Sequence, residues 1–199
     1  MVNLPNTKSL KAMAQEKAFL PQKGNYRKLV VYQKAECIYD ITYHFAHRFL
    51  AVGDRTIDQM VQAARSGKQN IVEGSAAATT SSEMEIKLMN VAKASLQELL
   101  ADYEDFLRVR GLEQWAEDDE RYLRARTACA EHNDAGYYRA LLPNRSAETI
   151  ANIAIILIKQ NDYLLFRLLE RLKNDFLQNG GIREEMTRAR LATRDKQKL

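Results

Sequence analysis

Apolar side chains recur every three or four residues through the long segments of this chain, and this spacing constrains the fold most. It is the spacing of one face of an α-helix that is packed against neighbouring helices. Only 3 Pro and 8 Gly occur among the 199 residues, which favours long elements and few turns. The best-defined seams are Val31, Ala35, Ile38, Thr42, Phe45, Phe49 and Met89, Ala92, Leu96, Leu99, Tyr103, Phe106. We therefore predict an all-α protein.

Breaks in the pattern divide the chain into five parts. They are a basic N-terminal arm (1–24), three helices (25–111), a polar helical insertion (112–145), a long fourth helix (146–180) and a basic tail (181–199). The four main helices are predicted at about 26–50, 55–74, 82–110 and 146–178. In the insertion we expect one helix near 115–131 and a short one before Pro143. The residues expected to cap or end the helices are Gly53, Asp54, Thr80, Ser82, Gly111, Ser146 and the glycine pair at 180–181.

Charge is mildly positive overall and concentrated at both ends of the chain. The net charge is +4 and the pI is about 9.0. Lys8, Lys11, Lys17, Lys23, Arg27, Lys28 and Lys34 occur with a single acid, Glu16, and the tail is rich in arginine. Such ends serve as solubilising segments or contact a polyanion, and the sequence leaves both interpretations open.

Nothing in the sequence predicts secretion or membrane insertion. Cys37 and Cys129 lack metal-ligand spacing and are typical of reduced thiols in a cytoplasm. The N-terminus has no apolar signal region, and the longest apolar run, 150–158, is too short to cross a bilayer. We expect a cytoplasmic protein that does not contact a membrane.

The sequence shows no catalytic constellation, so we predict no enzymatic activity and no cofactor. It has three histidines, which makes a nucleophile–histidine site hard to build. Glu36, Asp40, His44 and His47 share one face of the first helix, but that face points away from the apolar seam. A solvated or interface face is therefore favoured over a metal site, and no metal ligand is predicted.

The second helix has an unusual middle, in which small residues replace large apolar ones. Gly67 in mid-helix costs about 1 kcal/mol relative to alanine, so close approach of another backbone is expected to compensate. We predict that this helix packs on its own subunit on one side and on a neighbouring subunit on the other. The predicted oligomer-interface residues are Ala63, Ala64, Gly67, Asn70 and Gly74.

The first two helices resemble a bacterial four-helix bundle family. In "YRKLVVYQKA", Leu29, Val31, Tyr32 and Ala35 meet the start of its first helix. In "QMVQAARSGKQNIVEG" the family's second-helix pattern is met by Gln59, Ala63, Ala64, Ser66, Asn70, Ile71, Glu73 and Gly74. The family was first linked to intervening sequences in 23S rRNA genes and includes the accessory variability protein of diversity-generating retroelements. The resemblance covers about residues 26–110, and the insertion and tail resemble the subgroup with a C-terminal suffix.

The resemblance implies an antiparallel up-and-down four-helix bundle, closed homo-oligomeric rings with a pentamer favoured, RNA association and no catalysis. We therefore predict a non-catalytic accessory protein that binds RNA electrostatically. The expected contacts are Lys23, Arg27, Lys28, Arg65 and Lys68. Arg65 and Lys68 are one turn apart, although they could instead be solvated or paired with acids such as Glu73. The alternative is a structural scaffold that docks a protein partner, such as a reverse transcriptase, without binding nucleic acid.

The sequence leaves two interpretations open for the aromatic residues of the insertion and for one polar residue of the fourth helix. Trp115, Tyr122, Tyr137 and Tyr138 lie among arginines in the insertion, which suits either stacking on single-stranded bases or packing onto the bundle. Asn161 lies in the apolar seam of the fourth helix, as a register-setting polar residue or as a partly exposed one.

Overall fold

Every regular element in the described part of the chain, residues 25–196, is helical in this computed structural model. The α-helices are α1 (Val30–Phe49), α2 (Thr56–Ala77), α3 (Ser82–Val109), α4 (Glu120–Glu131), α5 (Ala135–Leu141), α6 (Ala147–Asn179) and α7 (Ile182–Lys196). Short 3₁₀ turns span Tyr26–Lys28 and Leu142–Asn144. The predicted all-α class is confirmed. Within residues 25–196, none of the helices is long and apolar enough to cross a membrane.

Most helix ends follow the local signals in the sequence. Ser146 caps α6 by accepting the Thr149 backbone N–H at 3.2 Å, as predicted. Gly53, Gly111 and Gly180 adopt φ values of 88°, 62° and 74°, which non-glycine residues rarely adopt.

One predicted helix cap and one predicted helix start are wrong. The cap of α3 is Ser81, whose hydroxyl accepts the Met84 N–H at 3.1 Å, rather than Thr80 or Ser82. Helix α4 begins at Glu120 instead of near Trp115, because the Asp119 carboxylate accepts the Arg121 N–H at 2.7 Å and fixes the first turn there.

The core lies between four helices. Helix α1 packs against α2 and α6, and α3 packs against the same two helices from the other side. The six predicted seam residues of α3 are all buried, and so are those of α1 except Phe49, which is partly buried. Asn161 is fully buried in α6, so the partly exposed interpretation is wrong. The predicted apolar periodicity therefore identifies the packed faces.

The small residues of α2 contact α3 of the same chain. A Cβ atom at Gly67 would lie 2.7 Å from Leu96 Cδ2 and 3.5 Å from the Ala92 carbonyl oxygen. At Gly74 it would lie 3.1 Å from Met89 Cε and 3.4 Å from the Glu85 carbonyl oxygen. The predicted close approach is thus present, but its partner is an intrachain helix.

This packing bears on the predicted use of these positions in a subunit interface, which stays a prediction. Ala63, Ala64, Gly67 and Gly74 are buried within the chain, so their surfaces are already covered without a second subunit. Asn70 is partly buried and donates its amide to the Ser66 carbonyl at 2.9 Å. A subunit interface on α2 would therefore have to use the helix's more exposed residues.

The insertion packs back onto the core helices, with α4 against α6 and α5 against α1. Two polar side chains hold it there. The Asn152 carboxamide accepts the Trp115 N–H and donates to the Glu113 carbonyl, both at 2.8 Å. The Lys34 ammonium, with 3% of the residue exposed, donates to the Cys129 carbonyl at 2.5 Å, near the end of α4.

Stability should fall at alkaline pH because Cys37 is fully buried. Burial raises the pKa of its thiol from 9.0 to about 12. The stabilisation from the protonated thiol is complete below pH 9.0 and is lost as the pH rises toward 12. We expect the free energy of unfolding to drop by about 1.4 kcal/mol per pH unit in that window. Urea unfolding at several pH values measures this loss, and Cys37→Ala should make it shallower; an unchanged slope in the variant would contradict the assignment.

Candidate nucleic-acid interface

A line of aromatic side chains follows the outer face of α1. The Tyr39 and Tyr43 ring centroids are 6.4 Å apart, and those of Tyr43 and His47 are 4.2 Å apart. Two turns before Tyr39, Tyr32 packs edge-on against Tyr26 at 4.8 Å. The spacings of seven and four residues return to one helix face, so the sequence itself aligns these rings. Tyr43 is 51% exposed, which leaves it open to a stacking partner.

Helix α2 places Lys68 on this aromatic line. Its ammonium lies 4.1 Å from the centroid of the Tyr39 ring, a cation–π distance. Arg65 lies one turn away on the same helix and is exposed. Among the described residues neither side chain forms an ion pair, with Glu73 or with any other acid. Both predicted cations therefore remain available to an anionic ligand.

A groove of about 740 Å³ runs beside the exposed end of the line. Its walls combine the aromatic rings with two guanidinium groups, from Arg48 of α1 and Arg139 of α5. Arg139 lies 3.7 Å from the Asp40 carboxylate, which draws the insertion toward the same surface. The full lining is Tyr39, Asp40, Tyr43, His44, His47, Arg48 and Arg139.

The arginines of the groove, Arg48 and Arg139, supply positive charge, and His44 adds none. Burial lowers the pKa of His44, and the neighbouring Arg48 lowers it further, so this ring is neutral at neutral pH. Burial raises the pKa of Asp40, while Arg139 and Lys68 act against that rise by stabilising the carboxylate. Positive charge thus persists across the physiological pH range.

The remaining predicted contacts lie near the start of α1. Arg27 and Lys28 are exposed in the 3₁₀ turn, which contacts α2, and Arg27 lies 5.8 Å from the Tyr26 ring centroid. They precede α1, whose first residue, Val30, lies about 14 Å along the helix from Tyr39 at 1.5 Å rise per residue. Lys23 lies outside the described residues. The structure therefore places Lys68 on Tyr39 of the groove, with Arg65 one turn further along α2, and puts Arg27 and Lys28 toward the other end of the aromatic line.

Sequence reasoning missed the aromatic line and its flanking arginines. The signal was present, since Tyr39, Tyr43 and His47 are four residues apart. The acids and histidines of the same helix were instead weighed as metal ligands or as a solvated face. In the structure Asp40 pairs with Arg139, and Glu36 accepts the Tyr32 hydroxyl at 3.0 Å. Within residues 25–196 no three His, Cys, Asp or Glu side chains lie close enough to share a metal ion. Arg139 could not be placed from sequence, because α5 reaches α1 only through the fold.

Comparisons with family models, with curated proteins and with solved structures find no match to this chain.

Proposed function

We propose that this protein is a non-catalytic RNA-binding accessory factor that holds single-stranded RNA along the outer face of α1. The observation that carries the proposal is the aromatic line with Lys68 over Tyr39 and arginines on its borders. Aromatic rings stack on unpaired bases of any sequence, while cations track the phosphates. This combination favours single strands over duplexes, in which the bases are already stacked.

The charge balance of the face supports an anionic partner. Arg27, Lys28, Arg48, Arg65 and Lys68 surround the line, and Arg139 is offset by its pairing with Asp40. The other acid on the face, Glu36, accepts a hydrogen bond from Tyr32. About five cations therefore remain for phosphates. We expect affinity to come mainly from phosphate contacts and stacking, with little discrimination between bases.

The proposal includes an antiparallel up-and-down bundle and assembly into a homo-oligomeric ring, with a pentamer favoured. The short connections at 50–55 and 78–81 support antiparallel neighbours, since such links suit adjacent helices that reverse direction. A ring would repeat the basic face around its symmetry axis and raise the local field. Light scattering of the purified protein measures the subunit number, and a monomer at all concentrations would remove the ring from the proposal.

Fluorescence anisotropy with labelled RNA tests the function directly. We expect a single-stranded oligonucleotide to bind at low salt more tightly than a duplex of the same length. For single strands, each phosphate contact adds about 0.7 to the salt slope, which is the fall in log affinity per unit rise in log salt concentration. Five contacts therefore imply roughly 100-fold weaker binding after a fourfold rise in salt. Affinity that is absent at low salt would contradict RNA binding and favour the alternative scaffold, which docks a protein through a largely salt-insensitive interface.

A further inference from the structure

A second cavity, away from the aromatic line, lies where α4 and α5 meet the first turn of α6. It has a volume of about 480 Å³, within the range of small-molecule sites. Its inner surface is apolar and includes Trp115, Tyr138 and Ile153, all nearly or fully buried. A ring-shaped ligand could therefore bury most of its surface here.

Trp115 lines this cavity with an unused hydrogen-bond donor. The residue is 9% exposed, and among the described residues its indole N–H has no acceptor. The Asn152 side chain accepts the backbone N–H of Trp115, which fixes the main chain but does not pair the indole N–H. A buried donor without a partner costs about 1–3 kcal/mol. The indole N–H is itself buried, so a ligand acceptor reaches it when the Trp115 side chain turns toward the cavity.

Three guanidinium groups border the same cavity, and they differ in availability. Arg121 is held by Asp119 at 2.6 Å and Glu113 at 2.8 Å, and its guanidinium carbon lies 5.4 Å from the Trp115 ring centroid. Arg124 has a looser ion pair with Glu120, at 3.3 Å. Arg145 is exposed and makes no ion pair within residues 25–196. Arg145 and Arg124 are therefore the cations that an incoming anion would meet.

The start of α6 adds to the positive potential. Thr149, in the first turn of that helix, lines the cavity, and helix N-termini carry a partial positive charge. Together with the two arginines it supplies anion-binding groups, while Trp115 and Tyr137 supply aromatic surface. The cavity thus presents two different kinds of surface to one ligand.

We propose that this cavity binds a small aromatic anion, with its ring against Trp115 and Tyr137 and its anionic group on Arg124 and Arg145. A nucleoside monophosphate has both required features, a flat ring and a phosphate. An aromatic carboxylate shares this chemistry and is the other source of such a ligand. The site is independent of the RNA-binding proposal, because it uses other residues.

The intrinsic fluorescence of the protein reports on this site alone, because Trp115 is its one tryptophan. We expect adenosine monophosphate to change the emission saturably, with adenosine and inorganic phosphate binding at least tenfold more weakly. Arg145→Gln should weaken nucleotide binding by roughly 10–100-fold, since the phosphate loses a hydrogen bond to a charged group. Arg110→Gln is the matched control, because Arg110 lies over Phe106 outside the cavity lining.

The outcomes separate the alternatives. Binding of benzoate but not of the nucleotide would keep the aromatic anion and assign it to carboxylates. Equal binding of adenosine and its monophosphate, or an unchanged affinity in Arg145→Gln, would overturn the assignment of Arg124 and Arg145 as the groups that bind the anion. No saturable change with any probe at millimolar concentration would overturn the proposal. Nucleotide binding that survives Arg65→Glu with Lys68→Glu would show that the cavity and the RNA face act separately.

Discussion

Replacing Arg65 and Lys68 together with glutamate should weaken binding of single-stranded RNA at low salt by at least 100-fold. The double change removes two phosphate-binding cations and adds two repelling charges beside the aromatic line. It should also reduce the salt slope by roughly 1.4, at about 0.7 for each lost contact. Arg65 is exposed, and Lys68 contributes about 0.5–1 kcal/mol through its contact with Tyr39, so the fold should survive. Anisotropy titrations at several salt concentrations measure both quantities.

A matched control separates this face from the overall charge. Lys87→Glu with Arg108→Glu makes the same change of net charge on α3, which lies across the core from α1. We expect that variant to keep its RNA affinity within a few fold. Tyr43→Ala removes a stacking ring without changing charge, so it should lower affinity while leaving the salt slope intact. Equal losses in both double variants would mean that binding follows net charge and has no defined site.

Local signals explain how much of the fold could be predicted. Seams such as the one through Leu96 and Tyr103 need only the helical period, and Ser146 or Gly111 needs only its immediate neighbours. These features fixed the long helices to within a few residues. The start of α4 depended on Asp119, while the preceding loop is held by Asn152 from a distant helix. Contacts across tens of residues have no local signature, so the insertion was the least predictable part.

The candidate site likewise combines residues that local spacing predicts with residues that only the fold brings together. Lys68 was found because it lies one turn from Arg65, and the tyrosines of α1 could have been found by their spacing. The groove itself depends on Arg139, which only the packing of α5 on α1 brings there. Gly67 illustrates the opposite limit, because its need for a close neighbour was predictable from sequence and the identity of that neighbour was not.

Lys34→Met should weaken the attachment of α4 to the four core helices while leaving those helices in place. The Lys34 ammonium donates to the carbonyl of Cys129 at 2.5 Å and to Gln160 Oε1 at 3.1 Å. Gln160 in turn donates its amide to the Arg126 carbonyl at 2.8 Å. Lys34 and Gln160 thus donate hydrogen bonds to carbonyls in the C-terminal turns of α4. The last carbonyls of a helix lack helical partners, and a cation beside them interacts favourably with the helix dipole.

Two opposing effects determine the size of the change. Burial lowers the pKa of Lys34, which shows that desolvation of the ammonium works against its charge. Replacing it with an apolar side chain of similar length removes that cost, so the global free energy of unfolding should change by only about 1 kcal/mol. The Cys129 carbonyl, however, loses its donor in a buried position at a local cost of about 1–3 kcal/mol.

Hydrogen exchange resolves the local effect from the global one. We expect amides of α4 in Lys34→Met to exchange roughly 10–100-fold faster, and amides of α2 to be unchanged. Lys93→Met is the control, since Lys93 pairs with Asp162 at 2.7 Å in a partly exposed position and should contribute at most about 1 kcal/mol. Helix α4 forms one wall of the Trp115 cavity. Its weaker attachment in Lys34→Met should therefore also shift the Trp115 emission and weaken ligand binding in the cavity. Unchanged α4 exchange in Lys34→Met would show that the contacts of α4 with α6, and not the buried lysine, hold the insertion on the bundle.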